Sequence, residues 1–416
     1  MLLLTGNQCK SRRMFVELIV HGASTTIRAR TYWTRYIAYQ FNDTFHIAPA
    51  SECEILKILS SCPNKQSDSD PIPTWHLKEC ASVLVPTITN IVNFSLTSDQ
   101  FHPILKESVI SPLLKKSTSD KDELSNYRPI SNLSIISEII QCIVKSRLIG
   151  HITASKLLTP HQSTYCKHHS TETALLYIHD HLINAIGSQK VSCLCLLLLS
   201  AAFDTIDHNI LITRLSSWFG IHGSDLCWFK FYLSSRSFRV NCDSNLSSLH
   251  TSACCVPKAL FSALYSSSCT LPLLSTVIFP LSLDHHLYAD DTQLFLSFHP
   301  LNFDLSISHL QNALQQISSW MTANLLTLNS SKTKFLLIGL EIQLAKIYNS
   351  SLDTSHSARN LGFIFDEHLT FADQITALSK ACYYHIRQLR CIRPYLDSST
   401  ACHTATSIVS IQTWLL

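Results

Sequence analysis

The stretch HHLYADDTQLFLSF, residues 285–298, sets two carboxylates, Asp290 and Asp291, between a tyrosine and an alternating apolar run. Ahead of the pair, LDHHLYA reads as a short strand. Behind it, Thr292, Leu294, Leu296 and Phe298 alternate with Gln293, Phe295 and Ser297 at strand period. The acids therefore fall at the tip of an expected hairpin, where a sheet can hold them toward a cleft. Paired acids at a tight turn are more often turn chemistry, their side chains capping their own backbone. A metal-binding catalytic role needs a third carboxylate and a fold to present it.

The chain has 416 residues, enough for two or three domains and a sizeable core. A net charge of +3 and a pI near 8.1 permit nucleic-acid binding without requiring it. Apolar residues make up 46% and mean hydropathy is +0.15, which makes membrane insertion the first rival reading. Residues 259–283, ALFSALYSSSCTLPLLSTVIFPLSL, carry no charge over a length suited to a span, but Pro272, Pro280 and eight Ser or Thr interrupt them. The run CLCLLLL, 193–199, is too short to span and reads as a fully buried strand. MLLLT at the start lacks the layout of a signal peptide. The expectation is an intracellular chain, nuclear or cytoplasmic, with no membrane segment.

Sixteen cysteines without a CxxC pair read as reduced thiols. The histidine pairs at 168–169 and 285–286 and the HxH at 179–181 have no cysteine at zinc-finger spacing, so solvated or packed histidines are expected. Glycine is scarce, eight residues in 416, although a mixed fold of this size needs it wherever φ turns positive. Either the fold is unusually free of glycine or many turns carry the wrong residue.

Residues 1–38 show no period and stay unassigned. Ser51 and Glu54 form a capping-box pattern ahead of a helix through Ile55, Leu56, Ile58 and Leu59. A polar linker, PNKQSDSDPIP, precedes a second helix over 76–95, and 109–135 pairs two apolar runs around a cationic hairpin tip. Residues 191–206 hold the apolar strand, 209–234 look helical, and RSFRVNC reads as a strand. Over 305–326, Ile307, Leu310, Leu314, Ile317 and Met321 recur at helical spacing. KFLLIG and NLGFIFD, 360–366, are each expected as one strand, and a basic helix runs from Ala372 to about Leu389. Helices and strands mix without βαβ repetition, which points to an α+β fold.

The segments PLLKK…NYRPISNLS (113–134), HSTETALL (169–176), LSAAFDTIDH (199–208), YADDTQL (288–294), WMTANLLTLNSSKTKFLLIG (320–339) and NLGFIFDEHLTF (360–371) occur in one fixed order. In that order the chain resembles the reverse transcriptase of a non-LTR, LINE-type retrotransposon, closest to the CR1/L2 group, from about Gln40 to about Arg393. The resemblance implies a right-hand polymerase. The N-terminal extension and fingers would fall in 39–190, the palm with interleaved fingers elements in 191–345, and the palm end with a truncated thumb in 346–416. It implies an antiparallel palm sheet covered by helices, an RNA template, a DNA primer and dNTP substrates, and Mg²⁺ or Mn²⁺ as cofactor.

In that family the first Asp of the YADD turn, here Asp290, bridges the metals and Asp291 assists. Two ions then activate the primer hydroxyl and neutralise the leaving pyrophosphate. Arg128, in NYRP, matches the arginine that holds the incoming triphosphate, with Lys116 or Lys121 as companion cation. Without the surrounding motif, Arg128 reads as a turn arginine before Pro129. Phe203 matches the bulky residue that excludes a ribose 2′-hydroxyl; an aromatic at a strand end is an equally compatible reading. Lys332 falls in the family's lysine-bearing loop, as a proton donor to pyrophosphate.

The third carboxylate of that family lies five residues before the aromatic, in the pattern D-x-x-x-A-F-D. Here that position is Leu198. Asp204 lies six residues further along, ~20 Å in an extended strand, far beyond the ~2 Å reach of a metal–oxygen bond. Other departures agree: VPKALFSALYSSSC (256–269) lacks the Gly of V-P-Q-G-S, Cys166 stands in place of Arg, and Lys334 in place of Glu. The tail after Tyr395 loses the pattern, so the thumb is expected to be truncated, and no endonuclease domain is expected ahead of residue 40. The expectation is a decayed, catalytically inactive copy. A non-catalytic nucleic-acid-binding remnant using Arg128, Lys115, Lys116 and the basic 380–393 segment stands as the alternative, beside a decayed product that does not fold.

Overall fold

The computed structural model describes residues 45–64, 69–70, 72–98, 100–116, 118–155, 157, 161–164, 166, 168–200, 207–242, 245–252, 271–324, 326–347 and 353–413. Helices α1 (Glu52–Ser61), α2 (Thr74–Glu79) and α3 (Ala81–Thr97) lead into strands β1 (Glu107–Leu114) and β2 (Tyr127–Asn132). Helices α4 (Ile135–Ala154) and α5 (Thr171–Gly187) follow, then β3 (Val191–Leu197) and the short β4 (Leu199–Ser200). Next come α6 (His208–Phe219), α7 (Gly223–Leu233), β5 (Arg236–Cys242), β6 (Asn245–Leu246) and β7 (His250–Ser252). After them the chain forms α8 (Leu271–Ile278), β8 (Asp284–Tyr288), β9 (Asp291–Phe298), α9 (Phe303–Ala323), β10 (Thr327–Leu328) and β11 (Lys334–Ile338). It closes with α10 (Glu341–Leu344), β12 (Ser357–Asn360), β13 (Phe363–Asp366), α11 (Ala372–Ile392) and α12 (Ser398–Thr413).

Helices and largely antiparallel sheets make an α+β fold in two compact units. The first takes in Met1–Leu158, Ala201–Thr270 and Met321–Thr327; the second takes in Thr159–Ser200, Leu271–Trp320 and Leu328–Leu416.

The sheet of the first unit runs β2-β1-β5-β6, with β7 also on β5. The expected hairpin forms, with Val109 opposite Asn132 and Leu114 opposite Tyr127, while β5 runs parallel to β1 on its other side. Helix α7 supplies the unit's aromatic core. Trp228 is fully buried and stacks on Tyr232 at 5.2 Å between ring centroids, and Phe101 meets it edge-on at 5.8 Å. Its indole Nε1 donates to the Ser95 carbonyl at 3.1 Å, so the one polar atom of a large buried side chain is satisfied.

Ser51 caps α1 by accepting from the Glu54 amide at 3.3 Å, but the Glu54 carboxylate does not complete the box. It takes the fork of Arg147 on α4 at 2.7 and 2.8 Å, a stronger bidentate contact that docks two helices. The expected helix over 76–95 is two helices meeting at Cys80, and 209–234 is also two, because Gly220 leaves α6 with φ of 63°.

In the second unit the sheet order is β11-β3-β9-β8, antiparallel throughout. All seven residues of β3 are buried, as a continuous apolar run in a central strand requires. Leu194, Leu196, Phe295, Leu336 and Ile338 form one cluster with Ile178 and Leu182 of α5 and with Ala358 and Phe365 of the β12–β13 hairpin. NLGFIFD is thus not one strand but the end of β12, a turn and β13, with Leu361 at φ 49° and Gly362 at φ 92°. On α9, Ile307, Leu310, Ile317 and Met321 are buried as expected, with Ala313 rather than Leu314 as the fully buried residue between them.

No described helix is long and apolar enough to cross a membrane. Residues 259–270 of the uncharged stretch lie outside the described residues; 271–278 form the eight-residue α8.

Truncating Trp228 removes the stacked core of α7 and strands the Ser95 contact. Trp228→Ala is expected to cost the first unit about 3–5 kcal/mol, read as a fall in the urea midpoint at unchanged slope.

Candidate active site

Strands β8 and β9 pair from Asp284 opposite Phe295 to Tyr288 opposite Asp291, which leaves Ala289 and Asp290 as the two-residue tip. Ala289 sits at φ 54°, a left-handed conformation that costs a non-glycine residue about 1–2 kcal/mol. The residue just before the two carboxylates is therefore held in a strained conformation by the flanking strands. Asp290 and Asp291 are both half-buried.

Strand β9 pairs on its other side with β3, from Val191 opposite Phe298 to Leu197 opposite Thr292. Carried one residue further, that register sets Leu198 against Asp291. Residues directly opposite in an antiparallel pair point to the same face and touch. Position 198 follows directly on the end of that ladder, and it holds a half-buried leucine packed against the Leu194, Leu196 and Phe295 cluster.

The Leu198 carbonyl accepts from the Asn329 amide at 2.8 Å, which ties the 329–333 turn to the end of β3. Asn329 in turn accepts from the Lys332 amide, through its carbonyl at 3.1 Å and its side chain at 3.2 Å. The turn brings the exposed Lys332 close enough for its charge to act on Asp291. That help is insufficient. Burial first, and the charge of Asp290 second, push the Asp291 carboxyl up to about 6, with Lys332 opposing.

Asp290, Asp291, Leu198 and Lys332 are therefore brought together in the second unit. Arg128 and Lys116 lie in the first, on the β1–β2 hairpin: Arg128 is exposed opposite Leu113, and Lys116 is exposed two residues beyond β1. Lys115 beside it donates to the Ser125 carbonyl at 2.7 Å, and the Lys121 carbonyl accepts from the Tyr127 hydroxyl at 3.1 Å. Phe203, Asp204 and residues 256–269 fall outside the described residues. Asp207 has a structural task, accepting from the Asn209 and Ile210 amides at 2.8 and 3.0 Å as the N-cap of α6.

Sequence reasoning placed His285 and His286 among solvated or packed histidines without seeing what holds them. Both are buried beneath the hairpin, bonded to Ser275, Ser163 and Gln293. The available signal was Gln293, a polar residue at a core-facing position of a strand.

Two divalent ions need negative charge and oxygen donors from several sides. Among the described residues, no group of three His, Cys, Asp or Glu gathers where it could hold a metal. Burial first, and the charge of Asp290 second, make Asp291 resist carrying the negative charge that ions would need. The donor set present does not fit a two-metal centre.

A central antiparallel sheet with paired carboxylates at a hairpin tip, beside the end of a buried strand, is the layout of a polymerase palm. Residues 113–365, more than half of the chain, match the family Reverse transcriptase (RNA-dependent DNA polymerase), and the chain belongs to that family. It is similar to two Drosophila melanogaster proteins. With the Probable RNA-directed DNA polymerase from transposon BS it shares 26% identity over 363 residues, 83% of this chain and 39% of that one. With the Probable RNA-directed DNA polymerase from transposon X-element it shares 24% over 344 residues, 79% of this chain and 36% of the relative. The chain spans about two fifths of the length of these curated relatives.

A carboxyl whose folded pKa lies above its unfolded value of about 3.9 favours the fold only while protonated. Its contribution is lost as pH rises from about 4 to about 6. In chelator-treated, metal-free protein, Asp291→Asn is expected to match the parent at pH 4 and to exceed it by about 1–2 kcal/mol at pH 7, after discounting for partial exposure. Denaturation of both proteins across that range checks the sign.

Proposed function

We propose that the chain is the fingers and palm, with a partial thumb, of a transposon-encoded RNA-directed DNA polymerase whose catalytic centre has been silenced at one position. Fingers and N-terminal extension would occupy 39–190, palm and interleaved fingers elements 191–345, and palm end and truncated thumb 346–416. The observation that supports this reading is the β3–β9 register, which ends at Leu197 opposite Thr292, so that a carboxylate at position 198 would follow directly at the end of the strand beside the Asp290–Asp291 tip. In the intact centre Mg²⁺ or Mn²⁺ would activate the primer 3′-hydroxyl, over an RNA template with dNTP as substrate. Arg128 and Lys116 would hold the triphosphate, Phe203 would exclude the ribose hydroxyl and Lys332 would protonate pyrophosphate. Such chemistry belongs inside the cell, in the nucleus or cytoplasm.

Leu198 explains why the fold survives the loss. A leucine at the end of a buried strand gains packing against Leu196 and its cluster, whereas an aspartate there would add a third negative charge beside Asp291. Without metal, the sheet is better off with the leucine; with metal, the chemistry needs the acid.

Primer extension on an RNA template with Mg²⁺ or Mn²⁺ tests this. The parent is expected to be silent, Leu198→Asp to extend, and Leu198→Asp with Asp290→Asn to be silent again. Extension by the parent that Asp290→Asn abolishes would overturn the silencing.

A second reading, a scaffold that still binds nucleic acid, is favoured by α11. That helix exposes Lys380, Arg387, Arg390, Tyr383 and Tyr384, and Arg393 and Tyr395 continue the pattern beyond its end. Cations interleaved with aromatics suit a phosphate backbone and its bases. On this reading, RNA affinity falls steeply with salt, and Arg387→Ala with Arg390→Ala flattens the slope of log affinity against log salt by about 2. A salt-independent affinity counts against it.

A further inference from the structure

His285 and His286 are adjacent on β8, each 3% exposed, and neither belongs to the catalytic reading. Being neighbours on a strand, they point to opposite faces of the sheet. The Nε2 atom of His285 lies 2.8 Å from the Ser275 hydroxyl on α8, and its ring is 4.5 Å from that of His161.

The bonds of His286 fix its protonation state. Gln293 donates through Nε2 to Asn360 Oδ1 at 3.1 Å, which turns Gln293 Oε1 toward His286 Nδ1 at 3.3 Å. With Gln293 in this orientation Nδ1 carries the hydrogen, and Nε2 lies 2.9 Å from the Ser163 hydroxyl. Ser163 Oγ also lies within hydrogen-bond distance of His169 Nδ1, at 3.3 Å. A chain of hydrogen bonds runs from His169 through Ser163, His286 and Gln293 to Asn360 on β12.

The backbone follows the same path. Leu287 donates to the His161 carbonyl at 2.8 Å and Ser163 donates to the Leu287 carbonyl at 3.1 Å, so residues 161–163 lie as a parallel edge along β8. In an open cleft, a serine and histidine at this spacing would be a nucleophile and its base. Both are buried to 3% exposure, so no substrate meets the hydroxyl and the contact is a clamp.

We propose that neutral His286 is a positioning residue for the carboxylate hairpin: it locks β8 to Ser163 and His169 and to β12, and its protonation releases residues 161–164 ahead of the β3–β9 ladder. The proposal rests on the polymerase reading for the importance of the hairpin, but not for the clamp itself.

The surroundings leave an imidazolium without compensation. Facing the pair are His161, Cys166 and His169 from the 161–169 segment, Tyr177 of α5 with its ring 5.3 Å from that of His286, Ser275 of α8, Gln293 of β9 and Asn360 of β12. The carboxylate of Asp284, next to them on β8, pairs instead with His181 at 3.6 Å and is largely exposed. Burial pushes both imidazoles down to about 4. His161 adds to the effect at each; His169 adds at His286, where the Gln293 bond opposes it. For a histidine whose folded pKa lies below its unfolded value of about 6.5, stability is complete above 6.5 and is lost as pH falls toward about 4.

Amide hydrogen exchange on the full chain between pH 4 and 7.5, corrected for intrinsic rates, tests the clamp. In the parent, protection of the Leu287 and Ser163 amides is expected to drop about tenfold or more as pH falls from 6.5 to 4, while β3–β9 amides such as Phe295 stay within about twofold. His286→Gln, whose amide reaches Ser163 without titrating, should keep the clamp closed to low pH. Ser163→Ala should open it at every pH. A parent-like pH profile in His286→Gln overturns the proposal, as does loss of β3–β9 protection in step with the clamp. If His286→Gln does not fold, Ser163→Ala decides: parent-like exchange of Leu287 overturns the proposal. Exchange requires no catalysis, so failure of the clamp and failure of primer extension are seen separately.

Discussion

The second unit depends on the burial of one strand. β3 has β9 on one side and β11 on the other, and no residue of it reaches solvent. A strand so enclosed cannot slip by one residue, because a slip would turn its whole apolar set to the opposite face. Its register with β9 is thereby fixed, and with it the position of residue 198 relative to Asp291. Its last carbonyl also carries the turn that delivers Lys332. The geometry expected of a polymerase palm is thus a product of hydrophobic packing, independent of whether the catalytic residues are present.

That independence lets a reverse transcriptase fold accept a leucine at position 198, where it packs against the buried cluster of the sheet. A carboxylate that is partly buried and next to a second one works against folding while it is charged: burial, and then the charge of Asp290, raise the Asp291 carboxyl to about 6. Removing one relaxes the metal-free sheet while abolishing the charge that ions require. At position 198 packing favours an apolar side chain, whereas metal chemistry would need an acid.

Much of this was legible in the sequence. Alternation around YADD gave the hairpin and the run CLCLLLL gave β3, while the spacing from Phe203 singled out Leu198 as the position where a third acid is expected. What escaped depends on partners remote in the chain. The capping box at Ser51 and Glu54 is half formed because Arg147, far along the sequence, outcompetes the backbone for the carboxylate. The turn splitting NLGFIFD was hidden because Leu361 occupies a conformation that normally advertises itself with glycine or asparagine. The clamp under the hairpin joins residues from four separate segments, each unremarkable in isolation; only Gln293, polar on a core face, hinted at it.

The parallel pairing of β1 with β5 has a consequence for synthesis. Glu107 finds its partner Ser237 about 130 residues later, after the chain has passed through the other unit and returned. At typical translation rates of roughly 5–20 residues per second, the nascent protein displays one unpaired edge of β1 for on the order of ten seconds. Parallel pairings across such separations also form slowly. An open strand edge invites pairing with whatever extended segment is near, including another nascent chain on the same message. Pro112 in β1 and Pro129 in β2, directly opposite each other, remove two backbone donors from that exposed hairpin. During its making, the β1–β2 hairpin is guarded against aggregation by two residues that have no backbone N–H to offer a passing strand.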